Sequence, residues 1–176
     1  MRKECRIYGS GGQGVITLGH LLGSATIQDR KEAVMTEEYS PYITGGWSRA
    51  DLILSDARID HPLVVEPDYL IALNQEGFDE NIKSVKPDGI IFTDSGTVDW
   101  HNSYGKRVVG IPARELAGKI GKPQSANIIL FGLFSGITGI PGRDSCLSAI
   151  ASRFPKQKSG NAEAFELGFR AGEKLE

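Results

Sequence analysis

The chain has 176 residues, enough for one well-buried core and too few for two ordinary domains, so a single domain over residues 1–176 is the expectation. Its 40% hydrophobic and 24% charged content fits a soluble globular protein, and 20 basic against 22 acidic residues, interspersed, offer no broad basic face to a nucleic-acid backbone. No stretch is apolar for long enough to span a bilayer, and Met1-Arg2-Lys3-Glu4 runs into the first apolar segment without a secretion signal, which predicts a cytoplasmic protein.

Cys5 to Gly9 reads as a first strand and Val15 to Asp29 as the helix after it. The run between them, Gly9-Ser10-Gly11-Gly12-Gln13-Gly14, is a glycine turn with G-x-G-x-x-G spacing. Glycine lets the backbone bend where a Cβ would clash, and the helix directs unpaired N–H groups and partial positive charge at whatever lies over the turn. An anion, a partner loop or no ligand at all satisfies that pattern. A dinucleotide site also wants an acidic residue at the end of the second strand, about 20 residues on. Glu37 and Glu38 stand in that place, but they open into Tyr39-Ser40-Pro41-Tyr42 and a second glycine pair rather than another crossover helix.

Further along, Glu32 to Thr36 reads as strand two and Ser48 to Ser55 as another strand. Too few residues separate these two for a helix, so the later one is expected to run antiparallel or to form an edge. Tyr69 to Leu73 and Gly89 to Thr93 are buried strands, the latter ending at Asp94, with a helix over Gln75 to Val85 between them. A last strand at Val108 to Ile111 precedes helices over Ala113 to Gly121, Ser125 to Ile137, Asp144 to Phe154 and Gly160 to Leu175. The alternation predicts an α/β fold: a Rossmann-like three-layer domain with a mostly parallel sheet and additional C-terminal helices. The helix from Ser125 is apolar on nearly every side, and one small sheet covers only one face of it. A deep core or a subunit interface accounts for the rest; the interface reading predicts that the isolated chain forms a homo-oligomer or exposes apolar surface that partner chains cover.

The second glycine-containing loop, Glu38 to Ser48, concentrates Tyr39, Tyr42, Trp47, several hydroxyls and Pro41 in one connection. Ordering it costs conformational entropy, so it either roofs the core or meets something. Loops after parallel strands gather at the carboxyl edge of the sheet, which places this one beside the Gly9 to Gly14 turn.

Taken together, the Gly-x-Gly-Gly-Gln-Gly-Val turn at Gly9 to Val15, the Tyr-x-Pro ahead of Gly-Gly-x-Ser at Tyr39 to Ser48, and Asn127 leading the apolar helix to Gly132 resemble the gamma subunit of the 2-oxoacid:ferredoxin oxidoreductases. The likeness continues through Asn161, Phe165 and Gly168 and covers essentially the whole chain. One departure stands out: the family commonly carries Gly-Pro-Glu and then Arg before the glycine pair, where this chain has Ser40-Pro41-Tyr42 and then Thr44.

The resemblance implies a multisubunit enzyme that decarboxylates a 2-oxoacid on thiamine diphosphate and magnesium, passes electrons through iron–sulfur clusters to ferredoxin, and hands the acyl group to coenzyme A. It places the thiamine site and clusters in alpha, beta and ferredoxin-like partner subunits. Independently, Cys5 and Cys146 lie far apart without C-x-x-C spacing, and no Gly-Asp-Gly run followed by Asn offers a thiamine–metal site. Ser10, His20 and Asp94 have no recognisable catalytic partners, so no catalytic or metal-binding residue is expected here. The expected contacts to a cofactor are Gly9, Ser10, Gly11, Gly12, Gln13, Gly14, Tyr39, Tyr42, Gly45, Gly46, Ser48 and Asn127. Coenzyme A fits such a set physically: its diphosphate suits the glycine turn, and Tyr39, Tyr42 or Trp47 can stack on adenine. A stand-alone dinucleotide-dependent oxidoreductase and a small binding protein without a catalytic partner are the competing readings.

Overall fold

The computed structural model describes residues 1–41 and 46–175; Tyr42, Thr44 and Gly45, singled out above, lie outside them. Six strands, β1 (Arg2–Ser10), β2 (Glu32–Tyr39), β3 (Trp47–Ser55), β4 (Tyr69–Ala72), β5 (Ile90–Asp94) and β6 (Arg107–Ile111), form one sheet. Their spatial order is β2-β3-β1-β4-β5-β6. β1, β4, β5 and β6 pair parallel, while β3 is antiparallel to both β1 and β2, so β2 points the same way as β1 and only β3 opposes the rest. The mostly parallel sheet expected from the alternation of apolar periods is therefore present.

Of the two alternatives expected for the later of the paired early strands the structure has the first: β3 runs antiparallel, inside the sheet, and β2 is the edge. The crossover helix α1 (Val15–Gln28) is the reason. A helix about 10 Å across spans two strand spacings of about 4.8 Å, so carrying the chain from β1 over α1 leaves a slot one strand wide, which β3 fills as it folds back from β2. The fold-back is closed by Ser40 N–H donating to the Trp47 carbonyl at 2.9 Å.

Strand periodicity sends alternate residues to opposite faces. Cys5, Ile7, Ala50, Leu52, Leu54, Tyr69 and Ile71 face α1, α3 (Ala113–Lys119), α4 (Ala126–Thr138), α5 (Arg143–Arg153) and α6 (Lys158–Glu173). Leu70, Ala72 and Ile91 face the opposite way, onto Phe78, Ile82 and Val85 around the short helix α2 (Gln75–Asn81). That helix is shorter than the sequence pattern suggests, because it tightens into a 3₁₀ turn over Ile82–Ser84. Where α2 and the Val64 segment meet the β1–β3 pair, the second face is polar. Arg6 Nε and Nη2 donate to the two carboxylate oxygens of Asp51 at 2.8 Å each, both residues being buried.

The apolar helix α4 is a core helix of this chain, so of the two alternatives that its all-round hydrophobicity leaves, deep core and subunit interface, the structure has the first. Asn127 through Ile137 are all buried. Phe134 meets Tyr69 and Phe92 of the sheet edge-to-face at ring separations of 5.3 and 5.2 Å. The other side is covered by α6, where Phe131 packs on Phe165 at 5.5 Å. The two helices touch backbone to backbone: a Cβ on Gly132 would fall 2.0 Å from the Phe165 carbonyl oxygen, and one on Gly168 would fall 1.8 Å from that of Ile129. What the sheet leaves uncovered, the chain covers itself, and the ground for self-association through this helix goes with it.

Candidate functional site

The glycine turn sits at the carboxyl end of β1, between the outward paths to β3 on one side and β4 on the other. Open α/β sheets bind ligands outside the carboxyl ends of their strands, where the chain path reverses direction. Gly9 and Ser10 end β1, and Gly11 to Gly14 make the turn into α1. Gly12 and Gly14 hold φ of +85° and +79°, a region that side chains with a Cβ rarely adopt.

Gln13 folds its side chain back into the turn and organises it. Its Oε1 accepts from the Ser10 N–H at 2.7 Å, and its Nε2 donates to the Leu73 carbonyl after β4 at 3.0 Å. Asn74 reinforces the same join: its Nδ2 donates to Ser10 Oγ at 2.7 Å while its Oδ1 caps α2 by accepting from the Gly77 N–H at 2.8 Å. Behind the turn, the Asn127 side chain donates to the Gly14 carbonyl at 3.3 Å and accepts from the Ile128 N–H at 2.9 Å. The second loop meets the first directly, since the Gly11 N–H donates to the Gly46 carbonyl at 2.8 Å. Gly9 to Gly14, Gly46, Ser48 and Asn127 are thus brought together as the sequence suggests; Tyr42 and Gly45 lie outside the described residues.

Trp47 and Tyr39 border the same depression, but Trp47 is also engaged internally. Trp47 stacks on Tyr8 with ring centroids 5.6 Å apart and planes at 20°, and the Tyr8 hydroxyl donates to Glu80 of α2 at 2.8 Å. Burial and that hydrogen bond hold the Tyr8 hydroxyl protonated. One face of Trp47 is therefore used internally, on the α2 side of the sheet. Tyr39 lies at the end of β2, is exposed, and joins the glycine turn and the first residues of α1 in lining a depression of about 470 Å³.

A separate cavity of about 320 Å³ opens on the other side of Gly12 and is lined by Gln13, Leu73, Asp94, Arg114, Gln124 and Asn127 among others. The sequence reading missed Arg114 and left Asp94 without a partner. In fact Asp94 is buried at the end of β5, its Oδ1 accepts from the Gly96 N–H at 2.9 Å and its Oδ2 from the Arg114 N–H at 3.0 Å. An aspartate closing a strand and followed by glycine is a recognisable turn signal, but its pairing with Arg114 is made by the strand order.

The α1 N-terminus carries no side-chain cap, so its first-turn N–H groups remain available to a ligand. The geometry disfavours a dinucleotide. With β3 inserted, Glu37 and Glu38 sit two strand spacings from β1, about 10 Å, rather than on the adjacent strand that holds a ribose. Glu38 instead pairs with Arg49 at 2.7 Å, and Glu37 faces His20 at 3.4 Å and the Tyr39 hydroxyl. Neither cysteine suits nucleophilic chemistry: burial pushes the Cys146 thiol up to about 12 and raises Cys5 further.

Known proteins share this fold. Residues 4–171 match the pyruvate ferredoxin/flavodoxin oxidoreductase family. The chain is 36% identical to the 2-oxoglutarate synthase subunit KorC of Methanocaldococcus jannaschii, over 99% of this chain and 96% of that one. Among solved structures, the gamma subunit of a keto/oxoacid ferredoxin oxidoreductase from Geobacter sulfurreducens superposes with a TM-score of 0.88 at 30% identity, covering 99% of this chain and 98% of that one. The 2-oxoglutarate:ferredoxin oxidoreductase of Magnetococcus marinus, solved with 2-oxoglutarate, coenzyme A and succinyl-CoA, shares the fold over 99% of this chain and 32% of its own, with a TM-score of 0.90 at 21% identity. With the match running nearly end to end in sequence and in fold, the chain belongs to the pyruvate ferredoxin/flavodoxin oxidoreductase family.

Proposed function

We propose that this chain is the gamma subunit of a multisubunit 2-oxoacid:ferredoxin oxidoreductase, one domain that assembles with alpha, beta and ferredoxin-like chains and helps receive coenzyme A. The near full-length match to proteins that are themselves named as subunits carries the assignment. Thiamine diphosphate, magnesium and iron–sulfur clusters belong in this reading to the partner chains, as does the choice of 2-oxoacid. The local chemistry that supports a coenzyme A role is the uncapped α1 N-terminus beside Gly12, with an open depression on either side. Diphosphate oxygens accept from such N–H groups without displacing an internal bond. In this reading the contacts come from Gly11, Gly12, Gly14, Gly46, Ser48 and the exposed Tyr39 around one depression and from Gln13 and Asn127 around the other, with Gly9 and Ser10 shaping the turn; Tyr42 and Gly45 join the set by sequence.

The purified chain alone is expected to oxidise no 2-oxoacid, even with thiamine diphosphate, magnesium, coenzyme A and an artificial electron acceptor supplied. Adding the partner chains should restore turnover. Activity of the pure protein in that assay would defeat the subunit reading.

Gly12→Val tests the turn. A Cβ at Gly12 meets no atom within 4 Å, so the cost to folding is the strained φ, about 1–2 kcal/mol, or a few degrees of melting temperature. The branched side chain enters the space between the two depressions. In the assembled enzyme, coenzyme A KM should rise about tenfold or more while the complex still forms. An unchanged KM in a folded, assembled variant would reduce the turn to a structural feature.

A further inference from the structure

We propose that Arg114 is the side chain of this subunit that recognises a phosphate group of coenzyme A; the inference rests on the function proposed above. Among the described residues, Arg114 is the one cationic side chain lining either depression beside the glycine turn. It stands on the first turn of α3, and its backbone, not its guanidinium, is what the fold uses: the Arg114 N–H donates to Asp94 Oδ2 at 3.0 Å. The guanidinium touches that carboxylate only at 4.0 Å through Nε, the side chain is 55% exposed, and its two Nη groups have no acceptor among the described residues. A planar fork of donors held at one end and open at the other matches phosphate oxygens.

Asp94 keeps its negative charge and offsets part of that of Arg114, whose Nε lies 4.0 Å away, but it is the less accessible of the two: both of its oxygens accept from backbone N–H groups and only 3% of the residue is exposed, so the pair presents the guanidinium outward. The remaining polar side chains of the lining, Gln13, Gln124 and Asn127, are neutral. Because Gly12 borders both depressions, a ligand whose phosphate meets Arg114 passes over the α1 N-terminus on its way into the other. An extended molecule with phosphates at more than one point satisfies that path, and coenzyme A offers two: the diphosphate bridge and the ribose 3′-phosphate.

The test uses the assembled enzyme, with equilibrium binding of coenzyme A and steady-state kinetics side by side. Arg114→Gln should raise both Kd and KM for coenzyme A about tenfold, the loss of one charge-assisted contact, and leave kcat at saturating coenzyme A and KM for the 2-oxoacid unchanged. Arg114→Lys keeps the charge without the fork and should fall between. Dephospho-coenzyme A separates the two phosphates. If Arg114 meets the 3′-phosphate, the wild-type enzyme disfavours dephospho-coenzyme A and Arg114→Gln loses that preference. If it meets the diphosphate, Arg114→Gln weakens both molecules by the same factor. Unchanged coenzyme A binding in Arg114→Gln, with Gly12→Val still impaired, overturns the role of Arg114 and leaves the turn's role standing. Unchanged binding in both variants removes the coenzyme A role from this subunit altogether. Loss of kcat and of 2-oxoacid affinity together in Arg114→Gln marks a structural residue and also overturns the proposal.

Discussion

Gly168→Ala should remove a large share of the stability of this fold, although it adds a single methyl group to a helix interior, where alanine is ordinarily preferred by about 1 kcal/mol. The new Cβ would lie 1.8 Å from the Ile129 carbonyl oxygen and 2.8 Å from the Leu133 backbone nitrogen, and neither atom can move without shifting α4. Overpacking of flexible side chains costs about 1–3 kcal/mol. Here the obstacle is backbone in a helix buried from Asn127 to Ile137, so the cost should exceed that range, on the order of half or more of a domain's stability. Gly118→Ala is the control, since Gly118 lies exposed in the last turn of α3 with nothing within 4 Å of its Cβ, and it should be neutral or stabilising. Thermal denaturation of the two variants beside the parent separates the effects. A Gly168→Ala protein that melts within a few degrees of the parent would mean that α4 and α6 are free to spread apart.

That contact also shows what a sequence reveals and what it withholds. Gly132 and Gly136 on one helix and Gly168 and Gly172 on the other each have G-x-x-x-G spacing, so the signal for a backbone crossing was present in the chain. Hydrophobicity around α4 leaves core and interface equally open, because periodicity reports that a face must be covered but not by what. The glycine turn was legible for the opposite reason: positive φ at Gly12 and Gly14 is a local requirement, visible in six consecutive residues. Its neighbours were less so. Gln13 to Leu73, Gly14 to Asn127 and Asp94 to Arg114 are joined by the strand order, which local patterning does not set. The slot filled by β3 is likewise a consequence of helix width against strand spacing. It decides the chemistry as well, since it removes Glu37 and Glu38 from the place where a dinucleotide would need them.

The buried ion pair on the α2 face gives the second large effect. Asp51→Ala removes both acceptors of the Arg6 fork, leaving the guanidinium of a buried residue with only the Val64 carbonyl at 3.0 Å and Asn81 Oδ1 at 3.4 Å. Arg49, whose Nε lies 3.6 Å from Asp51, would also lose its inner partner and keep only Glu38. Breaking such a pair costs about 3–5 kcal/mol, because one charge stays buried uncompensated. For a chain of this size that is on the order of 10 °C in melting temperature. Replacing both members by apolar residues, Arg6→Leu with Asp51→Leu, removes the desolvation penalty along with the attraction and should recover most of the loss. Arg6 lies four residues along β1 from Ser10, about 13 Å at strand rise, so the double variant should keep the coenzyme A affinity of the parent in the assembled enzyme. Equal instability of the single and double variants would show that the pair is not the source of the loss. A double variant that folds normally yet fails to assemble would instead assign Arg6 and Asp51 to the placement of the surface formed by α2 and the Val64 segment, and so tie the polar half of the sheet to docking rather than to stability.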